Sequence, residues 1–299
     1  MHEHERLKRV DRARRIVEGW QLDAPREHAL VIGSTARGWF EQSSDIDVAV
    51  ISPFKIRGDL EYRAASEISV TYLDRSTVDR ILGIDTLDLV QLRILSNLAC
   101  GIPVVGGEVI RNQAFERNQS AVLRQDIVSF YLEVAARYAK NLIEGDLVQR
   151  LKALNQSVQC CVLLACAATS FRVLKLKWAM YALQQEAPDV YRLCTRILNT
   201  VGRSPAYRDF CDEFTLSAAD VANRSEDDRW PLSHLLLQLN AVRASTQLPT
   251  STLAFLELTT LAGSLRSTNL GVARLAISWD ELYVDVLALI DEAAGMHFA

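Results

Sequence analysis

The chain has 299 residues, 49% hydrophobic and 23% charged, with a net charge of −4 and a pI near 5.8. These are globular values, and the acidic balance weighs against a large nucleic-acid footprint, which requires a basic face. The length exceeds the ~100–150 residues of one usual domain and predicts two, while no run of ~18 apolar residues predicts a membrane span.

Leu7, Val10, Ala13, Ile16 and Val17 recur at helical spacing and predict a helix over 5–20, ended by "DAPRE". The charged opening "MHEHERLKRVDRARR" lacks the apolar centre of a secretory signal, so a soluble, cytoplasmic protein is expected. "HALVIG" reads as a short β-branched strand ended by Gly33, and "SDIDVAVIS" as a second, closed by Pro53. A short helix is expected over 59–66. "EISVTYLD" then alternates with period two, Glu67, Ser69 and Thr71 on one face and Ile68, Val70 and Tyr72 on the other, and predicts a third strand. Beyond Ser76 the strand signal thins to "IPVVGG", and helical spacing dominates roughly 122–144, 147–168, 173–186, 189–201, 205–222, 230–245 and 278–294. The fold class expected is α+β, an N-terminal strand-bearing domain over 1–115 followed by an all-helical domain over 116–299. The boundary falls in the turn-rich "GIPVVGGEVIRNQ" region, and "NRSEDDRW" at 223–230 reads as a solvated interhelical loop.

Cys100, Cys160, Cys161, Cys166, Cys194 and Cys211 show no C-x-x-C spacing and fall mainly in apolar helical stretches, as core thiols do. The five histidines are scattered, His2 and His4 near the start, and form no ligand pattern.

Inside the second strand the pattern departs from an apolar run. Residues i and i+2 of a strand face the same way, so Asp45 and Asp47 present two like charges together while Ile46 and Val48 face the core. Their repulsion calls for a cation, and two hard oxygen ligands suit Mg²⁺, which keeps waters and takes further ligands from substrate phosphates. The plain alternative is a solvated strand end. The upstream turn tilts the balance: Gly33 ends one strand and Ser34 begins the short polar helical segment "STARG", where free backbone N–H groups and a hydroxyl can hold a phosphate.

The string "GSTARGWFEQSSDIDVAV" resembles the G-S-x(n)-D-x-D signature of the DNA polymerase β-like nucleotidyltransferase superfamily, especially its minimal and antibiotic-modifying branches. The likeness covers residues 30–51. It implies a mixed sheet flanked by helices, Asp45 and Asp47 binding one or two Mg²⁺ ions, and the Gly33-Ser34 turn binding the terminal phosphates of a nucleotide. The family's third carboxylate lies on an adjacent strand; "SEISVTYLD" looks like the E-V-T-V-V strand of aminoglycoside nucleotidyltransferases and carries that role onto Glu67, as metal ligand, general base or both, with Asp74 as rival. Arg37 in the turn reads either as a phosphate donor or as an exposed loop arginine.

Two further stretches resemble the aminoglycoside branch. "LVQLRILSNLACGIPVVGGEVI" is similar to an A-x-x-L-x-G junction helix and turn, and "KLKWAMYALQQEAP" to a W-A-x-x-x-L helix. The resemblance implies triphosphate contacts for Lys175, Lys177 and Arg172, against the alternative of a solvated helix face; Trp178 reads as core. Trp39 and Phe40 depart from the small or charged residues of relatives, and either pack on a base or cover the turn. The activity implied is Mg²⁺-dependent transfer of a nucleoside monophosphate from an NTP, ATP first, to a hydroxyl of a small acceptor such as an aminoglycoside-type antibiotic. The alternatives are a toxin–antitoxin or defence protein that modifies tRNA or a protein, and an inactive nucleotide-binding module. A monomer and a homodimer fit the sequence equally.

Overall fold

The computed structural model describes residues 2–19, 28–40, 44–53, 60–63, 67–172, 176–202 and 278–298. These residues form a mixed α/β structure with a small mixed sheet and mostly helix elsewhere. By its contacts the chain divides into two units, one of Met1–Arg124 with Ser170–Arg172, the other of Gln125–Thr169 and Val173–Ala299.

In the first unit the two β-branched runs lie at the centre of the sheet. Strand β2 (Ile46–Ser52) runs antiparallel to β1 (His28–Val31) and parallel to β4 (Ile68–Asp74). With β3 (Leu60–Arg63) and β6 (Ile102–Val105) the order is β3-β4-β2-β1-β6. A two-residue parallel pair, β5 (Thr86–Leu87) with β7 (Val122–Leu123), stands apart. Helix α1 (His2–Gly19) lays Val10, Ala13 and Val17, one helical face, on Ala29, Val31, Ile46, Val48, Val50, Ile68 and Val70. Ala49 and Ile51, on the other face of β2, are also buried, so Val48–Ile51 is a continuous apolar run, with Asp47 ahead of it in the strand and Asp45 just before the strand starts.

The short helix expected over 59–66 is instead strand β3, paired antiparallel with β4 from Leu60↔Thr71 to Arg63↔Ile68. An open sheet edge offers ladder hydrogen bonds to four residues at once, whereas a segment this short barely completes a helical nucleus. Behind β4, α3 (Arg75–Gly83), α4 (Leu89–Cys100) and α5 (Glu108–Ser120) complete the unit, with α2 (Gly33–Arg37) directly after β1. An Asp88–Gln91 capping box starts α4. Residues 170–172 close against these helices: Ser96 Oγ donates to the Phe171 carbonyl at 2.9 Å, and Asn118 Nδ2 to that of Ser170 at 3.3 Å.

The described part of the second unit is helical: α6 (Gln125–Glu144), α7 (Leu147–Ala168), α8 (Leu176–Glu186), α9 (Pro188–Gly202) and α10 (Trp279–Phe298). Asp146 and Gln149 form the capping box of α7, and Ser157 Oγ donates to the Ala135 carbonyl of α6 at 2.9 Å. Residues Gln149–Ala168 are long and apolar enough to cross a membrane, yet 72% of that apolar window is buried among its neighbours, as in a core helix. Cys160, Cys161, Cys166 and Cys194 are buried free thiols within this unit. His297 Nε2 meets the Leu164 carbonyl at 2.8 Å, and the Arg150 guanidinium lies 5.5 Å from the Trp279 ring centre, so α10 is tied to α7 at two points. The helices expected over 205–222 and 230–245, the "NRSEDDRW" loop and Cys211 lie outside the described residues.

Candidate active site

The site lies where β2 begins. In the parallel register Asp47 stands beside Ser69. Ser69 Oγ donates to Asp45 Oδ2, so Asp45 and Asp47 address the same side of the sheet, opposite Ile46 and Val48. The Asp47 carbonyl accepts from Ile32 N at 2.8 Å, which fixes the approach to the turn.

At the turn, Gly33 has φ 65, and a Cβ added to it would lie 2.1 Å from Asp47 Oδ2 and 2.9 Å from Asp47 Cγ. The carboxylate therefore rests against the Gly33 Cα in space that any side chain would take, and the left-handed backbone independently favours glycine. Ser34, 8% exposed, follows in the first turn of α2, whose N-cap residue Ile32 supplies no side-chain hydrogen bond. The turn closes through Trp39 N to the Ser34 carbonyl at 2.9 Å, with Gly38 at φ 74.

Two residues that sequence reasoning passed over hold this arrangement. The first is Ser69, the orienting donor to Asp45. The second is Arg9 on α1: its Nε donates to Thr35 Oγ1 at 3.3 Å and its Nη2 to the carbonyls of Ser44 and of Asp45, the latter at 2.9 Å. Its guanidinium also lies 4.8 Å from the Phe40 ring centre. Burial pulls the pKa of Arg9 below the usual arginine value, the Glu5, Asp45 and Glu67 carboxylates oppose that fall, and an arginine remains charged throughout. The signals were present in the sequence: Arg9 immediately precedes a buried helix position, and Ser69 shares the Glu67 face of the alternation.

Glu67 does not join the pair in this arrangement. Its φ is 54, so the backbone leaves the extended region just before β4 starts and strand alternation no longer directs the side chain. The carboxylate instead pairs with Arg12 Nη1 at 3.3 Å, on the helix that covers the opposite face of the sheet. Asp74 caps α3, accepting from Thr77 N and Thr77 Oγ1, each at 2.8 Å, and from Ser76 Oγ. The Ser76 hydrogen bond, then those of Thr77, lower its pKa to about 2. Among the described residues no three His, Cys, Asp or Glu side chains gather closely enough to hold a metal ion. A cation here would rest on Asp45 and Asp47 alone among the carboxylates. That all-oxygen pair beside a side-chain-free cradle fits a hard divalent ion completing its shell with water and phosphate oxygens.

Arg37 donates to Ser96 Oγ at 2.6 Å and to its carbonyl at 3.3 Å, with its guanidinium 5.7 Å from the Trp39 ring centre. Trp39 in turn meets Phe171 at 5.2 Å between ring centres, so the bulky pair after Gly38 covers the turn, Phe40 lying under Arg9. Arg172, at φ 46, donates to the carbonyls of Asn118 at 3.2 Å and Ala121 at 2.8 Å, closing the end of α5. Trp178 lies beside Tyr181 in α8, 5.9 Å between ring centres. Lys175 and the side chain of Lys177 lie outside the described residues. No protein-family model and no curated protein matches the chain.

Proposed function

We propose that this chain is a nucleotidyltransferase of the DNA polymerase β-like superfamily that its motif resembles. It transfers a nucleoside monophosphate from an NTP, ATP first, to a hydroxyl of a small polyhydroxylated cation of the aminoglycoside type. In this reading the sheet-bearing part is catalytic, the helical part serves the acceptor, and the protein works in the cytoplasm. The observation that carries the reading is the seat of the Asp47 carboxylate against Gly33 Cα, with Asp45 oriented on the same side by Ser69. A solvated strand end would need neither a cradle nor an orienting donor.

Mg²⁺ held by Asp45 and Asp47 would supply positive charge to the triphosphate and acidify the acceptor hydroxyl. The chain's own residues do the rest. The Gly33-Ser34 turn offers backbone N–H groups and a hydroxyl to the phosphate tail. The acceptor oxygen attacks the α-phosphorus, the bond to the bridging oxygen breaks, and pyrophosphate departs. For Glu67 to take the acceptor proton its carboxylate must part from Arg12 and turn to the Asp45–Asp47 side; the Arg12 pair is solvent-facing, at 47% and 65% side-chain exposure, and contributes under about 1 kcal/mol.

The pairing of Glu67 with Arg12 also favours a second reading, a nucleotide-binding module that does not turn over. Pyrophosphate release, measured with each of the four NTPs against aminoglycosides, total tRNA and the protein itself, separates the two and identifies the acceptor class. Asp47→Asn should abolish release without lowering Tm, because it removes ligand charge and relieves repulsion. Full transfer by that variant overturns the proposal, and nucleotide binding without release by any arm selects the module.

A further inference from the structure

We infer that Arg9 of the N-terminal helix is a positioning residue for the Asp45–Asp47 pair, setting how tightly the site holds a divalent cation. The inference rests on the metal-binding reading above. It adds to that reading an element, α1, that the sequence motif does not include.

Asp45 precedes β2, outside the strand ladder that begins at Ile46. One guanidinium grips this segment: Nη2 reaches the carbonyls of Ser44 and Asp45, and Nε reaches Thr35 Oγ1 in α2. Arg9 thus ties the segment that carries one aspartate to the helix that follows Gly33, against which the other aspartate rests. The Phe40 ring beneath the guanidinium restricts its plane, and Thr35 is wholly buried, so the donor fork has a fixed seat. Val10, the next residue, is anchored in the core under the sheet, which holds the helix in register with the site.

Arginine is required for its shape. A planar fork can meet several acceptors in one orientation, whereas a lysine ammonium is a point charge on a flexible stem. Groups that orient metal ligands typically change metal affinity roughly 10- to 100-fold when removed. If Arg9 acted only through its charge, lysine would restore the site.

Two measurements on the full chain decide this. Mn²⁺ binding, followed by electron paramagnetic resonance, should weaken at least about tenfold in both Arg9→Lys and Arg9→Gln. Arg14→Gln, which removes an exposed α1 arginine paired with Asp11 at 3.1 Å, should bind as the unaltered chain does. Hydrogen exchange should quicken in both Arg9 variants in peptides covering 33–37 and 44–48, with β1 and β6 unchanged, and Arg9→Lys keeps the test open should Arg9→Gln unfold. Rescue by lysine overturns the inference, as does faster exchange with undiminished Mn²⁺ affinity, which would make Arg9 a structural tie only. Absence of Mn²⁺ binding by the unaltered chain is a different result: it removes the metal reading itself and the inference with it.

Discussion

Gly33 and Gly38 offer a matched pair of substitutions. Both have left-handed backbones, φ 65 and φ 74, so alanine at either position brings a common strain of about 1–2 kcal/mol. What surrounds the new methyl group differs. At Gly38 it would meet only Arg6 Cδ at 3.9 Å and Nη1 at 4.0 Å, ordinary contacts to a flexible side chain. At Gly33 it would lie 2.1 Å from Asp47 Oδ2, 2.9 Å from Cγ and 3.1 Å from Cβ, so the carboxylate must move by roughly an ångström. In the proposed transferase, displacement on that scale would cost about 100-fold in rate. Urea unfolding should therefore show the strain loss in both variants and a further loss in Gly33→Ala from the overlap with Asp47, while pyrophosphate release and Mn²⁺ binding collapse only in Gly33→Ala. Equal losses of activity in the two variants, or full activity in both, would refute the argument that Asp47 needs the open face of residue 33.

Other residues give separate expectations. Glu67→Gly removes a non-glycine side chain from φ 54 and should stabilise the fold by about 0.5–1 kcal/mol in urea titration while lowering transfer; loss of stability would show the Arg12 pair to outweigh the strain. Asp74→Ala removes the α3 cap and should cost about 1 kcal/mol near neutral pH. Because the folded pKa of Asp74, about 2, lies below its unfolded value of about 3.9, that contribution is present above pH ~4 and fades as pH falls toward 2. The two proteins should accordingly converge in stability in acid and diverge above pH 4. Burial raises the pKa of Cys160 to about 11 and of Cys194 to about 12 and lifts Cys100, Cys161 and Cys166 as well, so all five should resist alkylation at pH 8 until the chain unfolds, as peptide mass mapping would show.

Much of the sheet was readable because its strands combine β-branched composition with clear boundaries. Gly33, Pro53 and the alternation of Ser69 and Thr71 with Ile68, Val70 and Tyr72 mark segments that form strands, and α7 matches its expected span of 147–168. Strand β3 was not readable, since an edge segment is decided by the open ladder of β4 rather than by its own four residues. The same division holds at the site. Asp45 and Asp47 were readable as a pair from their i, i+2 spacing at the entry to β2, which is local information. Glu67 escapes the alternation because one residue adopts φ 54, a departure that no periodicity signals. The hold of Arg9 on Ser44 and Asp45 spans 35 and 36 residues of sequence, and such contacts belong to packing rather than to motif.

Residues 170–172 give the sheet-bearing unit an unusual dependence on translation order. A ribosome that has released everything up to Arg124 has not yet made the carbonyls that Ser96 and Asn118 bind, nor the ring that Trp39 packs against. Two long helices, α6 and α7, must emerge before those partners arrive. A fragment cut after residue 124 should therefore be looser around Trp39 than the complete chain, and the aromatic cover of the Gly33–Gly38 turn is among the last parts of that unit to be finished during synthesis.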